Sequence, residues 1–146
     1  MQPKLSDASA EEALIAAMLL HDDFAGLTEF ADDEVWDEGN RRIIATVRML
    51  RGADKPCGTV FVLAVLHSQG KLDEYHRAGD TGEVALLALL GDHIADPQSY
   101  YGRQLGRVIH YYAEERKALQ QAQEAAKRTF QETLAAHRKR YEGELA

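Results

Sequence analysis

Proline is scarce in this chain: three in 146 residues, at positions 3, 56 and 97. From Ser99 to Tyr141 there is none, and no glycine lies between Gly106 and Gly143, so nothing there breaks a helix. Cysteine is scarcer still. Cys57 stands alone, which excludes an internal disulfide and a multi-cysteine zinc site and fits a reducing, cytoplasmic setting. Long apolar runs are also missing. Ala13 to Leu20 is too short to span a membrane, and Glu11, Glu12, Asp22 and Asp23 flank it where a signal peptide carries basic residues. It reads as a buried helix, and no membrane partner is expected.

What is present favours helix. Ala, Leu, Glu, Gln and Arg dominate, and 45% of residues are hydrophobic, enough for one domain with a real core. The 17 basic and 24 acidic residues give a net charge of −7, unevenly placed. Residues 1–38 hold one lysine against eleven carboxylates, whereas residues 39–146 hold sixteen basic against thirteen acidic. The acidic first quarter repels a phosphate backbone, so direct DNA binding through it is disfavoured. It permits a basic protein partner, or is simply a solvated face.

Along the chain, residues 1–8 are expected to form a flexible N-terminus. Ser9 with Glu12 three residues on has the pattern of a capping box, opening a helix to about Leu20 with Leu14, Ile15, Met18 and Leu19 at helical spacing. A short helix is expected over Phe24 to Phe30. Asp37 caps another, striped by Ile43, Ile44, Val47 and Leu50. Val60 to Leu66 is apolar at all seven positions, and with no second strand to pair with, it is a helix apolar on every side. Such a helix is either the central element of the core or covered by a partner. Gly70 ends it, residues 71–82 form the longest loop, and Glu83 to Leu90 make a further short helix. Pro97 suits an early position of a long terminal helix. No internal repeat and no low-complexity linker stand out. The fold class is all-α: a compact bundle of about five short helices over 9–96, then one long C-terminal helix over 97–146 with its first half packed on the core.

The signatures of catalysis are weak. Gly70-Lys71 lacks both the glycine at position 65 and the Ser or Thr at 72 that a phosphate loop needs. The six histidines, 21, 67, 76, 93, 110 and 137, show no i, i+4 pairing; His93 near Asp92 and Asp96 comes nearest to a metal cluster. Asp32, Asp33, Glu34, Asp37 and Glu38 lack the spacing of a calcium loop and suit helix starts. No serine sits in a glycine elbow, and Cys57 has no neighbouring base. The expectation is a non-enzyme with no catalytic residue, metal or cofactor.

Three blocks taken together resemble the N-terminal domain of replicative hexameric DNA helicases of the DnaB type. They are Ala10 to Leu20, with the small pair Ala16-Ala17; Asp33-Glu34-Val35-Trp36 followed by Arg41-Arg42-Ile43-Ile44 and Leu50; and Pro56 through Leu66 to Gln69-Gly70-Lys71-Leu72-Asp73. Their order and spacing cover roughly residues 10–112. There are departures. Asn40 stands where a histidine is usual, Gly58 and Phe61 replace an Asp and a Thr, and a glycine pair is reduced to Gly82-Glu83. The phosphate loop of the family's ATPase domain has no counterpart in these residues. What the resemblance implies is therefore the collar role in DNA replication, namely homo-oligomeric assembly and binding to helicase, primase or helicase loader, and not unwinding.

The candidate interface lies on the terminal helix. Tyr101, Leu105, Val108, Tyr112, Leu119, Ala122, Ala126, Phe130 and Leu134 recur at three- and four-residue steps, the near-heptad stripe of a helix packed along another. The alternative function is a nucleic-acid-binding accessory protein using Arg103, Arg107, Arg116, Lys117, Lys127, Arg128, Arg138, Lys139 and Arg140. Interleaved Glu114, Glu115, Glu124 and Glu132 argue for a solvated, salt-bridged helix instead.

Overall fold

The computed structural model describes residues 7–145. Five α-helices run α1 (Ala8–His21), α2 (Glu38–Gly52), α3 (Thr59–Ser68), α4 (Gly82–His93) and α5 (Gly102–Leu145), with 3-10 turns at Ala25–Thr28, Asp32–Glu34, Leu72–Glu74 and Pro97–Tyr100. Two antiparallel two-residue strands, β1 (His76–Arg77) and β2 (Asp80–Thr81), pair His76 with Thr81 before α4. The fold is all-α, as the composition implied. The first six positions of the expected N-terminal segment lie outside the described residues, while Asp7 and Ala8 belong to α1.

Local chemistry sets the boundaries, not always where the sequence pointed. Asp7 rather than Ser9 caps α1: its Oδ1 accepts from the Ala10 N–H at 3.0 Å. Glu12, the expected partner of Ser9, instead binds Arg77 at 2.9 Å. The helix expected over Phe24 to Phe30 is a single 3-10 turn. Arg48 of α2 holds it by donating to the carbonyls of Leu27 (2.8 Å) and Phe30 (3.1 Å), so a side chain supplies what a continued helix would have supplied. Asp37 caps α2 as expected, accepting from the Asn40 N–H at 2.8 Å. Pro97 opens its own 3-10 turn, not α5, and Tyr101 separates the two.

The central element is α1. Ala13, Leu14, Ile15, Ala16, Ala17 and Met18 are all wholly buried, on every side of the helix, so it is the all-round apolar helix that a small domain is built around. Ile43, Ile44 and Val47 of α2, Leu86 and Leu89 of α4, and Leu105 and Ile109 of α5 complete the core, each large side chain contributing about 1.5–3 kcal/mol. The sequence had offered α3 for that central role, and the structure corrects it. Only Val62 and Leu66 of α3 are buried, while Val60 is 74% exposed.

The start of α5 is held by three glycines. A Cβ on Gly106 would lie 2.3 Å from the Gly26 carbonyl oxygen, and one on Gly26 would lie 2.3 Å from the Gly102 carbonyl oxygen. Backbone meets backbone here, which only glycine permits. Asp23 Oδ2 accepts the Gly102 N–H at 3.0 Å, satisfying a donor at the helix start. Leu105, Ile109 and Ala113 are buried in the same unit. The chain divides into two compact units at Ala113 and Glu114; the first therefore extends past residue 96 to take in the opening turns of α5.

Candidate interaction surfaces

Polar groups inside the first unit are mutually satisfied. The carboxylate of Glu11, 2% exposed, accepts from the backbone N–H of Trp36 (2.7 Å) and Asp37 (3.2 Å) and from Asn40 Nδ2 (3.3 Å). Desolvation outweighs these donors and raises its pKa above the ordinary 4.5. The Tyr75 hydroxyl donates to Asn40 Oδ1 at 3.5 Å, and burial pushes that phenol upward. Asn40, where the resembled family usually has a histidine, is thus the hinge of a buried tie between α1 and α2. Nothing in the sequence marked Glu11 as special beside Glu12.

His93, the residue closest to a metal cluster in sequence, is committed elsewhere. Its Nδ1 lies 3.0 Å from Asp96 Oδ2 and its Nε2 lies 3.4 Å from Glu12 Oε1. The two carboxylates sit on opposite edges of the ring, so they do not converge on one ion. Arg77 joins Glu12 (2.9 Å) to Asp92 (2.8 Å). This network ties α1, β1 and α4. A serine–histidine pair also forms, His21 Nε2 lying 3.0 Å from Ser99 Oγ. Ser99 is fully buried and donates its hydroxyl proton to the Asp96 carbonyl at 2.8 Å, a geometry that holds a turn and leaves no attacking lone pair open to substrate.

Apolar surface is the commoner feature outside. On α3, Val62 and Leu66 sit one turn apart and anchor the helix by one face, leaving Val60, Phe61 and Ala64 outward. Val60, Leu63, Ala64, His67, Leu72 and Glu83 line an open groove of about 330 Å³. On α4, Val84 (61% exposed) and Leu87 (49%) are also outward. Sequence reasoning flagged the apolar run of α3 but did not anticipate the exposed side of α4, because seven continuous apolar positions, Val84 to Leu90, do not separate inside from outside.

The nine residues of the expected stripe are shared between the two units. Tyr101 precedes α5 and is exposed; Leu105 is 6% exposed, in the core; Val108 packs against that core, and Tyr112 is half-buried. Leu105 and Val108 are therefore engaged within their own unit. In the second unit, Leu119 and Leu134 are half-buried, Ala122 and Ala126 are exposed, and Phe130 is 67% exposed. The basic residues are partly neutralised. Arg103 and Arg107 both approach Glu29, at 3.6 and 3.5 Å, and Lys117 lies 3.3 Å from Glu114. Among the described residues, no helix is long and apolar enough to cross a membrane.

Neither a family model nor a curated protein matches the sequence. Among solved structures, the chain is similar to the N-terminal domain of DnaB helicase from Mycobacterium tuberculosis, with a TM-score of 0.75 and 19% identity over 88% of each chain. At that identity the likeness speaks for architecture, and the chain has the fold of the DnaB helicase N-terminal domain.

Proposed function

We propose that the chain is a non-catalytic assembly module of the helicase-collar type. It acts in DNA replication through self-association and through binding to a helicase, a primase or a helicase loader. The observation that carries this reading is the fold match spanning 88% of both chains. Exposed apolar side chains support it independently: the groove lined by Val60, Leu63 and Ala64 of α3, Val84 and Leu87 on α4, and Phe130 in the second unit. Each would lose unfavourable apolar exposure on docking. The His21–Ser99 pair and the His93–Asp96–Glu12 cluster are absorbed into structural ties, which supports a non-enzymatic role.

The test is sedimentation of the full chain alone and with a purified replicative helicase, primase and loader. Concentration-dependent self-association, plus a shift with at least one of the three, is expected. Val84→Asp with Leu87→Asp, or Phe130→Asp with Leu134→Asp, should weaken the corresponding contact. A chain that stays monomeric at high micromolar concentration and shifts none of the three overturns the reading. ATP turnover by the purified chain, removed by a point change within it, would overturn the non-catalytic part.

A further inference from the structure

Helix α4 buries one side and leaves the other bare. Ala85, Leu86, Leu89, Leu90 and His93 are buried in the first unit. Val84, Leu87, Gly91 and Ile94 are exposed and Ala88 is half-buried. At about 100° per residue these five fill an arc of roughly 120°, and none of them is polar. Among the described residues, nothing calls for glycine at position 91. Glycine is favoured just past a helix end, where φ is positive; Gly91 lies inside α4, is not among the positive-φ residues, and a Cβ on it would meet nothing within 4 Å. After proline it is the poorest helix former, so it weakens α4 without an internal gain. At Gly26 and Gly106 the missing Cβ lets another segment's backbone approach. Gly91 leaves the same room on the outer face, between Leu87 and Ile94.

Charge specifies what covers that face. Glu83 and Asp92 fall on opposite flanks of the apolar arc, and α4 contains no lysine or arginine. Among the described residues Glu83 has no ion pair, while Asp92 shares Arg77 with Glu12 at 2.8 and 2.9 Å. Asp80 immediately precedes the helix, and Asp73 Oδ1 lies 3.5 Å from the place of a Gly82 Cβ, so the helix start is acidic as well. We propose that this face docks an amphipathic helix of a protein partner, crossing close over Gly91 with its apolar side and carrying Lys or Arg on its flanks. The proposal rests on the assembly reading above and gives the partner its chemistry. A second α4 would bring two more carboxylates and no basic side chain to the contact.

The probe is a synthetic helical peptide with leucine and alanine on one face and lysine on both flanks. It is titrated against the full chain and followed by fluorescence anisotropy, with a glutamate-for-lysine peptide as control; circular dichroism checks that each variant folds. The lysine peptide should bind at least about ten-fold more tightly than the control. Leu87→Asp should weaken it about ten-fold or more, whereas attraction to acidity alone would strengthen with the added charge. Glu83→Lys should weaken it about three-fold or more. Gly91→Ala should raise the melting temperature by roughly 1–4 °C and weaken the peptide, opposite changes that a glycine required by the fold would not give. A lysine peptide that binds Leu87→Asp as tightly as the parent overturns the face, and a Gly91→Ala chain that melts lower overturns the crossing. The same variants then enter sedimentation with helicase, primase and loader. Partner binding that survives both Leu87→Asp and Gly91→Ala overturns this proposal and leaves the assembly reading standing. A chain that neither self-associates nor binds any of the three overturns that reading, while the peptide still decides the face. Self-association abolished by Leu87→Asp assigns the face to a second copy and overturns the proposal.

Discussion

Glu11 and Glu12 are neighbours of the same type with opposite fates. Glu12 meets Arg77 and His93 at the edge of α1, while Glu11 is buried against two backbone donors and an amide. Glu11→Ala leaves those donors facing a void, and a loss of about 2–4 kcal/mol is expected at neutral pH, measurable by urea denaturation. Since the folded-state pKa of Glu11 is raised, folding takes up a proton between the ordinary glutamate value and the raised one. The part of the stability that comes from this proton uptake is then fully present below about pH 4.5 and is lost as pH rises through the folded value, while the hydrogen bonds accepted by the carboxylate remain. Glu11→Gln, which cannot titrate, should lack that component of the decline; superimposable pH dependences for the two proteins would sink this account. The glycines make an equally local prediction. Gly106→Ala should cost about 1–3 kcal/mol through overpacking against the Gly26 backbone, whereas Gly143→Ala, with open space around it, should cost nothing and slightly favour the helix. Equal melting temperatures for all three proteins would contradict the close crossing.

At the scale of elements, the central role that the apolar run of α3 suggested falls to α1. Both are apolar runs without a clear moment, and from periodicity alone neither has a preferred inside. α1 has neighbours on every side, and α3 has them on one. Leu66→Ala, at a site 2% exposed, should cost about 2–4 kcal/mol. Leu63→Ala, only half-buried, should cost about half that, and Val60→Ser should stay within roughly 0.5 kcal/mol of the parent. Thermal melts of the three separate the outcomes: equal losses at Val60 and Leu66 would return α3 to the centre of the core. The terminal helix shows the converse problem. Its existence and approximate length were plain from the missing prolines and glycines, but its spacing alone did not fix where one environment gives way to the other. Leu105 and Ile109 are core positions of the first unit, and that unit ends at Ala113.

For the whole molecule, charge divides as the compact units do. Residues 1–113 hold ten basic and eighteen acidic side chains, and residues 114–146 hold seven and six. Neither unit presents the strong positive excess that tracks a phosphate backbone. Affinity for a short DNA duplex, followed by fluorescence anisotropy, is expected to be undetectable at physiological salt; tight binding that falls steeply with added salt would favour the nucleic-acid reading over assembly. The sequence by itself determined the helical class, the places of the main helices, the long uninterrupted terminal helix and the absence of a disulfide scaffold, because proline, glycine, caps and apolar spacing act within a few residues of one another. The motif blocks led as far as the collar architecture for the same reason: order and spacing survive where identity does not. Only the tertiary structure decided which apolar helix is the core and which is surface, that Glu11 is buried while Glu12 is bridged, and that Gly26, Gly102 and Gly106 meet. Those outcomes depend on contacts between segments as many as 80 positions apart, and a side chain's local pattern carries no information about how many of its sides another segment will cover.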